Sequence, residues 1–125
     1  MADQGRTALL ASVSQAEKAR VKQLLKELAQ TKRFIAAFEE EAERLGAEQL
    51  EQYERCKREV KLIERAIPAI PDDEVRRIVD YRFVKGHSYT ATVRFFGGCM
   101  SDRTVERKLN EGIAFVARML RMWRN

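Results

Sequence analysis

Between Val21 and Leu45 an apolar or threonine side chain returns alternately every three and four residues: Val21, Leu24, Leu28, Thr31, Ile35, Phe38, Ala42 and Leu45. That alternation marks a helix with one continuous seam, sustained over about three and a half heptads. The positions between are rich in Lys, Arg and Glu, so the other faces are solvated. Ser14 and Glu17 have the spacing of a capping box, in which each side chain satisfies a backbone N–H at a helix start. Gly46 supplies the permissive backbone wanted just past a helix end. The spacing therefore predicts one helix from Ser14 to about Leu45, which at 1.5 Å per residue spans roughly 45 Å.

A second helix is predicted from about Ala47 to Ile67, with Leu50, Tyr53, Cys56, Val60, Ile63 and Ile67 repeating at three and four. Pro68 and Pro71 end it, because proline lacks the N–H and clashes with the preceding turn. The two stripes can cover each other in a hairpin, pair with a second copy of the chain, or do both in a bundle. A lone two-helix hairpin buries little core, which favours a homodimer that uses the seam. Phe34 and Phe38, four apart, are expected in that core. The run Glu39, Glu40, Glu41 and Glu43 has no neighbouring histidine or aspartate, and consecutive carboxylates on a helix diverge. A solvated face is the expectation there.

Past the prolines, Asp72, Asp73 and Glu74 place negative charge where it complements a helix dipole. Val75, Ile78, Val79 and Phe83 give the third helix an apolar face, closed by Gly86. Ser88 is placed to cap a short helix to about Phe96, with Tyr89, Val93 and Phe96 inward. Gly97 and Gly98 allow a reversal, and Ser101 suits the cap of a last helix. There Val105, Leu109, Ile113, Val116 and Leu120 form one stripe, and Asp102, Arg103, Glu106, Arg107 and Asn110 lie opposite. Those side chains can bond base edges or phosphates.

Charge points the same way. Residues 1–71 carry 13 Lys/Arg against 12 Asp/Glu, leaving +1, and residues 72–125 carry 11 against 7, leaving +4. A basic segment fits a polyanionic partner. Two cysteines, Cys56 and Cys99, are too few for a disulfide framework and lack metal-ligand spacing, which fits a reducing cytoplasm. Thr7 to Val13 makes a poor signal peptide, and no run reaches the ~18 apolar residues of a membrane span. There is no Ser/His/Asp set, CxxC pair, HExxH or phosphate loop, and His87 is solitary; no enzyme, cofactor or metal is expected.

The string Tyr81-Arg82-Phe83-Val84-Lys85-Gly86-His87-Ser88-Tyr89, followed by Ser101-Asp102-Arg103-Thr104-Val105-Glu106-Arg107, resembles the C-terminal helix-turn-helix of sigma-factor region four. Within that group it is most similar to the small phage late-transcription regulators of the RinA and ArpU type. Their pattern, L-R-Y-x-x-G-x-S-W, a glycine turn and S-x-x-T-V, is matched here by Arg82-Phe83, Gly86, Ser88-Tyr89, Ser101 and Thr104-Val105. Thr92 departs from it, standing where an aliphatic residue is usual, and the turn through Met100 is one or two residues longer. The resemblance covers about 50 residues. It implies sequence-specific binding to double-stranded DNA, often with contact to RNA polymerase, and no catalysis.

The expected architecture is all-α: a flexible N-terminus over 1–13, a coiled-coil-like helical hairpin for oligomerisation over 14–67, and a three-helix DNA-binding unit over 72–125. In its helix-turn-helix the second of the two helices, the one that starts at Ser101, enters the major groove. Arg103 and Arg107 are expected on guanine edges or phosphates, Glu106 on cytosine N4, and Asn110 on an adenine or the backbone. Ser101, Asp102 and Thr104 sit at the helix start, where a phosphate can bind. Lys85, Arg94 and Lys108 are expected on the sugar-phosphate backbone. Arg118, Arg121, Trp123 and Arg124 form a basic aromatic end that either continues onto DNA or a partner or frays. Two alternatives stand beside a transcription regulator: a small terminase subunit or related phage packaging protein, and a coiled-coil interaction module whose basic end meets an acidic protein.

Overall fold

The computed structural model describes residues 13–124, and those residues form six α-helices joined by short helical turns, without a strand. We label them α1 (Gln15–Lys26), α2 (Leu28–Glu40), α3 (Ala47–Ala66), α4 (Asp73–Val79), α5 (Tyr89–Phe96) and α6 (Asp102–Arg124). No helix among the described residues is long and apolar enough to cross a membrane. The expected flexible N-terminus lies outside the described residues except for Val13, which is buried in the core.

The capping box forms as predicted: Glu17 N–H donates to Ser14 Oγ at 3.0 Å and Ser14 N–H to Glu17 Oε1 at 3.1 Å. The single long helix does not. At Glu27 the backbone flattens to φ −91°, ψ 0°, dividing the segment into α1 and α2. The reason lies in the neighbours, since α1 packs on α6 whereas α2 packs on α3 and on the segment after α4. A straight rod cannot follow both. The buried set at the bend is Val21, Leu25 and Leu28, so Leu25 takes a place the heptad assigned to Leu24, which is only partly covered.

Beyond the bend burial thins. Ile35 and Phe38 are half-buried, and Phe34, expected inside, is 53% exposed. α2 ends at Glu40, before a helical turn at Ala42–Arg44. Gly46 does not close it in a left-handed conformation; at φ −75° it precedes α3, and its N–H donates to Gln49 Oε1 at 3.0 Å. On α3, Tyr53, Val60, Ile63 and Ala66 are buried, whereas Leu50 is 46% exposed. Pro68 lies in a tight turn, Ile67–Ala69, that ends α3.

Asp72 caps α4, its carboxylate accepting from the N–H groups of Glu74 at 2.8 Å and Val75 at 3.1 Å. After Val79 the helix widens into an i→i+5 turn over Asp80–Val84, where Lys85 N–H donates to Asp80 O at 2.9 Å. Gly86, at φ +76°, releases the chain from that turn. Val75, Ile78, Val79 and Phe83 are all buried as predicted.

α6 is the centre of the molecule, packed by α1, α3, α4 and α5. Val105, Leu109, Ile113, Val116 and Leu120 are 5% exposed or less, so the predicted stripe is the buried face. Gly112 shares it, because a β-carbon there would overlap Val79 Cγ2 of α4. One hydrophobic cluster runs from Val13 through Leu28 and Ile63 to Leu120, and the helices before Pro68 share it with those after Pro71.

Candidate nucleic-acid interface

The geometry of α6's outer face follows from its inner one. With Val105 and Leu109 fixed inward, helical spacing puts Asp102, Arg103, Glu106, Arg107 and Asn110 outward, and all five are exposed. Ser101 starts the helix: its Oγ accepts from Thr104 N–H at 3.2 Å and lies 3.0 Å from Thr104 Oγ1. Thr104 is half-buried. Among the described residues neither Arg103 nor Arg107 has an ion-pair partner. The helix thus presents two adjacent guanidinium groups with an amide and a carboxylate beside them.

The other cations singled out from the sequence are placed differently. Lys108 turns away from that face to Glu74, Nζ to Oε1 at 3.0 Å, with 14% of its side chain exposed. Its charge, with the N–H groups of Val75 and Glu74, holds the Asp72 carboxyl below the ordinary carboxylate range, the Val75 N–H contributing most. Lys85 Nζ lies 3.8 Å from Asp80. Arg94 is exposed on the last turn of α5.

α5 begins at Ser88, whose Oγ accepts from Ala91 N–H at 3.0 Å. Tyr89, expected inward, is 44% exposed, because the chain arrives from the Gly86 loop with Ala91 and Thr92 on the covered side. Thr92 is fully buried, and its hydroxyl is satisfied by donating to Ser88 O at 2.8 Å. A polar residue therefore fits this fully buried position. The turn to α6 needs no left-handed glycine: Gly97 has φ −63°, and the N–H groups of Cys99 and Met100 both donate to Phe96 O.

Arg82 braces the loop between α4 and α5. Its guanidinium donates to His87 O at 2.8 Å and lies over the Phe83 ring, and partial burial draws it below its ordinary pKa. His87 stacks on Tyr81 with centroids 3.9 Å apart, and Phe95 stacks on Tyr81 at 4.3 Å. These rings join the turn after α4 to the Gly86 loop and to the last turn of α5.

The far end of α6 is tied down rather than frayed. Arg121 makes a bidentate pair with Glu17 of α1, at 2.9 and 2.6 Å. Arg124 pairs with Glu59 of α3, and Arg65 lies over the Trp123 ring. The N-terminal turns of α6 carry its exposed and unpaired arginines, Arg103 and Arg107.

Sequence reasoning missed three residues beside this face. Lys18 shares a shallow depression with Arg103, Glu106, Arg107 and Asn110. Lys22 and Lys26 line a neighbouring cleft with Glu106, Asn110 and Tyr89. Their four-residue spacing was a visible signal, but nothing in the sequence said which helix they would flank. No protein-family model, curated protein or solved structure shows a significant match to this chain.

Proposed function

We propose that the chain is a sequence-specific, double-stranded-DNA-binding transcription regulator of phage or prophage type, in which α5, the turn and α6 act as a helix-turn-helix. The observation that carries this reading is the outward pair Arg103 and Arg107 on the first turns of a helix whose opposite face is sealed in the core. Such a helix offers its N-terminal residues to base edges in a major groove, while the helix before it crosses the backbone. Arg107 or Arg103 can pair with guanine O6 and N7, Asn110 with adenine, and Glu106 with cytosine N4. Catalysis plays no part in this reading, and RNA polymerase is a candidate second partner.

Fluorescence anisotropy with random and promoter-like duplexes at two salt concentrations tests the proposal. Tight, salt-sensitive binding with preference for one sequence is the expected result. No binding to any duplex at low salt would end it.

A two-fold dimer belongs to the same proposal, with its two reading helices on half-sites about one helical turn or a multiple apart. The seam is not free for that pairing along its first half, since Val21, Leu25 and Leu28 are buried within the chain. Phe34 and Leu50 are the large apolar side chains left exposed on α2 and α3. Light scattering on the DNA-bound protein is expected to give two subunits; larger rings would favour a DNA-packaging role such as a small terminase subunit.

A further inference from the structure

Lys18, Lys22 and Lys26 lie four residues apart on α1, so they form one row along that helix. α1 runs antiparallel to α6: Glu17 meets Arg121 at one end, and Lys26 reaches the cleft beside Leu109 and Asn110 at the other. The row therefore passes along the edge of the exposed α6 face. Glu106 and Asn110 line both depressions into which the lysines project. Lys22 and Lys26 are exposed and Lys18 half-buried. None of the three has an ion-pair partner among the described residues.

Three cations aligned beside two arginines, with Glu106 and Glu111 the carboxylates among them, leave a local excess of positive charge that favours an extended anion. Over eight residues the row spans about 12 Å, comparable to the axial rise of roughly three phosphates on one DNA strand. Meanwhile two lysines expected to hold the backbone, Lys85 and Lys108, are turned toward Asp80 and Glu74. Arg94, Arg103 and Arg107 are exposed without an ion-pair partner among the described residues, and the α1 row adjoins the last two.

We propose that Lys18, Lys22 and Lys26 form a phosphate clamp, holding one strand of the duplex against α1 while α6 enters the adjoining groove. This rests on the DNA-binding reading and adds a surface outside the helix-turn-helix. The clamp reads no sequence; it sets register and supplies salt-dependent affinity.

The test is the salt dependence of duplex binding by the full chain and by a Lys18→Gln/Lys22→Gln/Lys26→Gln variant. Glutamine matches lysine in helix propensity, so α1 is expected to persist. The slope of log affinity against log salt is expected to fall by about 2 to 3, with equal weakening on preferred and random duplexes. Should the triple variant fail to fold by circular dichroism, the double variant at the exposed positions 22 and 26 is expected to lower the slope by about 2. Wild-type binding with an unchanged slope in the folded variant overturns the clamp alone; absence of wild-type binding at low salt overturns the DNA reading itself. Loss of poly-glutamate binding with duplex binding intact would assign the row to an acidic protein instead, and also overturn the clamp.

Discussion

A glycine in the middle of a long helix ordinarily weakens it, by about 1 kcal/mol relative to alanine. Gly112 is the reverse case, because a β-carbon there would run into Val79 and press on Val75. Overpacking of a closed core costs about 1 to 3 kcal/mol, and a clash this close with a stiff valine lies above the lower end of that range and so outweighs the propensity gain. Gly112→Ala is therefore expected to lower stability in urea denaturation, and an unchanged or raised midpoint would show that α4 can retreat from α6. At the ion pair that joins α1 to α6, Arg121 and the Ser14 N–H hold the Glu17 carboxyl at about 2, against an ordinary 4.5. A depressed carboxyl stabilises the fold above its unfolded pKa, and that contribution disappears as pH falls toward the folded value. Stability is thus expected to decline between about pH 4.5 and 2, and Glu17→Gln to flatten that part of the profile. At the candidate interface, Arg107→Ala is expected to cost about 1 to 3 kcal/mol of discrimination between preferred and random duplexes if Arg107 reads a base. Equal weakening on both would make it a phosphate contact. The outward identity of Arg103, Glu106, Arg107 and Asn110 was legible from spacing alone, since the apolar stripe of α6 fixes both faces. The diversion of Lys108 was not, because its partner Glu74 is 34 positions away.

Among the elements, what the sequence announced most clearly were the starts. Ser14, Ser88 and Ser101 all accept backbone N–H groups as their residue types predicted, and Asp72, read from the sequence only as charge at a helix start, caps α4 as well. Capping is a local interaction, decided within four residues. The course of a helix is decided by what it packs on, and the heptad from Val21 to Leu45 carried no mark of the bend at Glu27. Propensity there favours continuation, yet the division of neighbours between α6 and α3 bends the helix. Tyr89 was misread for a related reason: the Gly86 loop sets the rotation of α5 before its own periodicity does. Removing the Asp72 cap should be felt directly. Asp72→Ala is expected to destabilise by about 1 kcal/mol, read as a lower melting temperature, while Asp72→Ser recovers most of it. Thr92→Val is expected to change stability by less than about 1 kcal/mol, since Ser88 O still receives the Thr92 N–H at 2.9 Å.

For the molecule as a whole, the sequence suggested a rod followed by a separate unit, and the prolines at 68 and 71 looked like the boundary. The structure places α1 and α3 against α6 across that boundary, and a single core results. All-α content was legible because periodicity reports secondary structure; the sharing of one core was not, because it depends on contacts distant in sequence. Thermal unfolding followed by circular dichroism and by the fluorescence of Trp123 is expected to give coincident transitions. Separate midpoints would mean that the helices before Pro68 hold together without α6. The bidentate pair between Glu17 and Arg121 joins residues 104 positions apart, and Val21 and Leu25 share their cluster with side chains of α6. On the ribosome, then, α1 emerges long before the surface it settles on, and α6 is the last of the six to be made. Nascent chains stalled before Val105 should be digested readily by protease, and resistance should arise only once the final helix has cleared the exit tunnel.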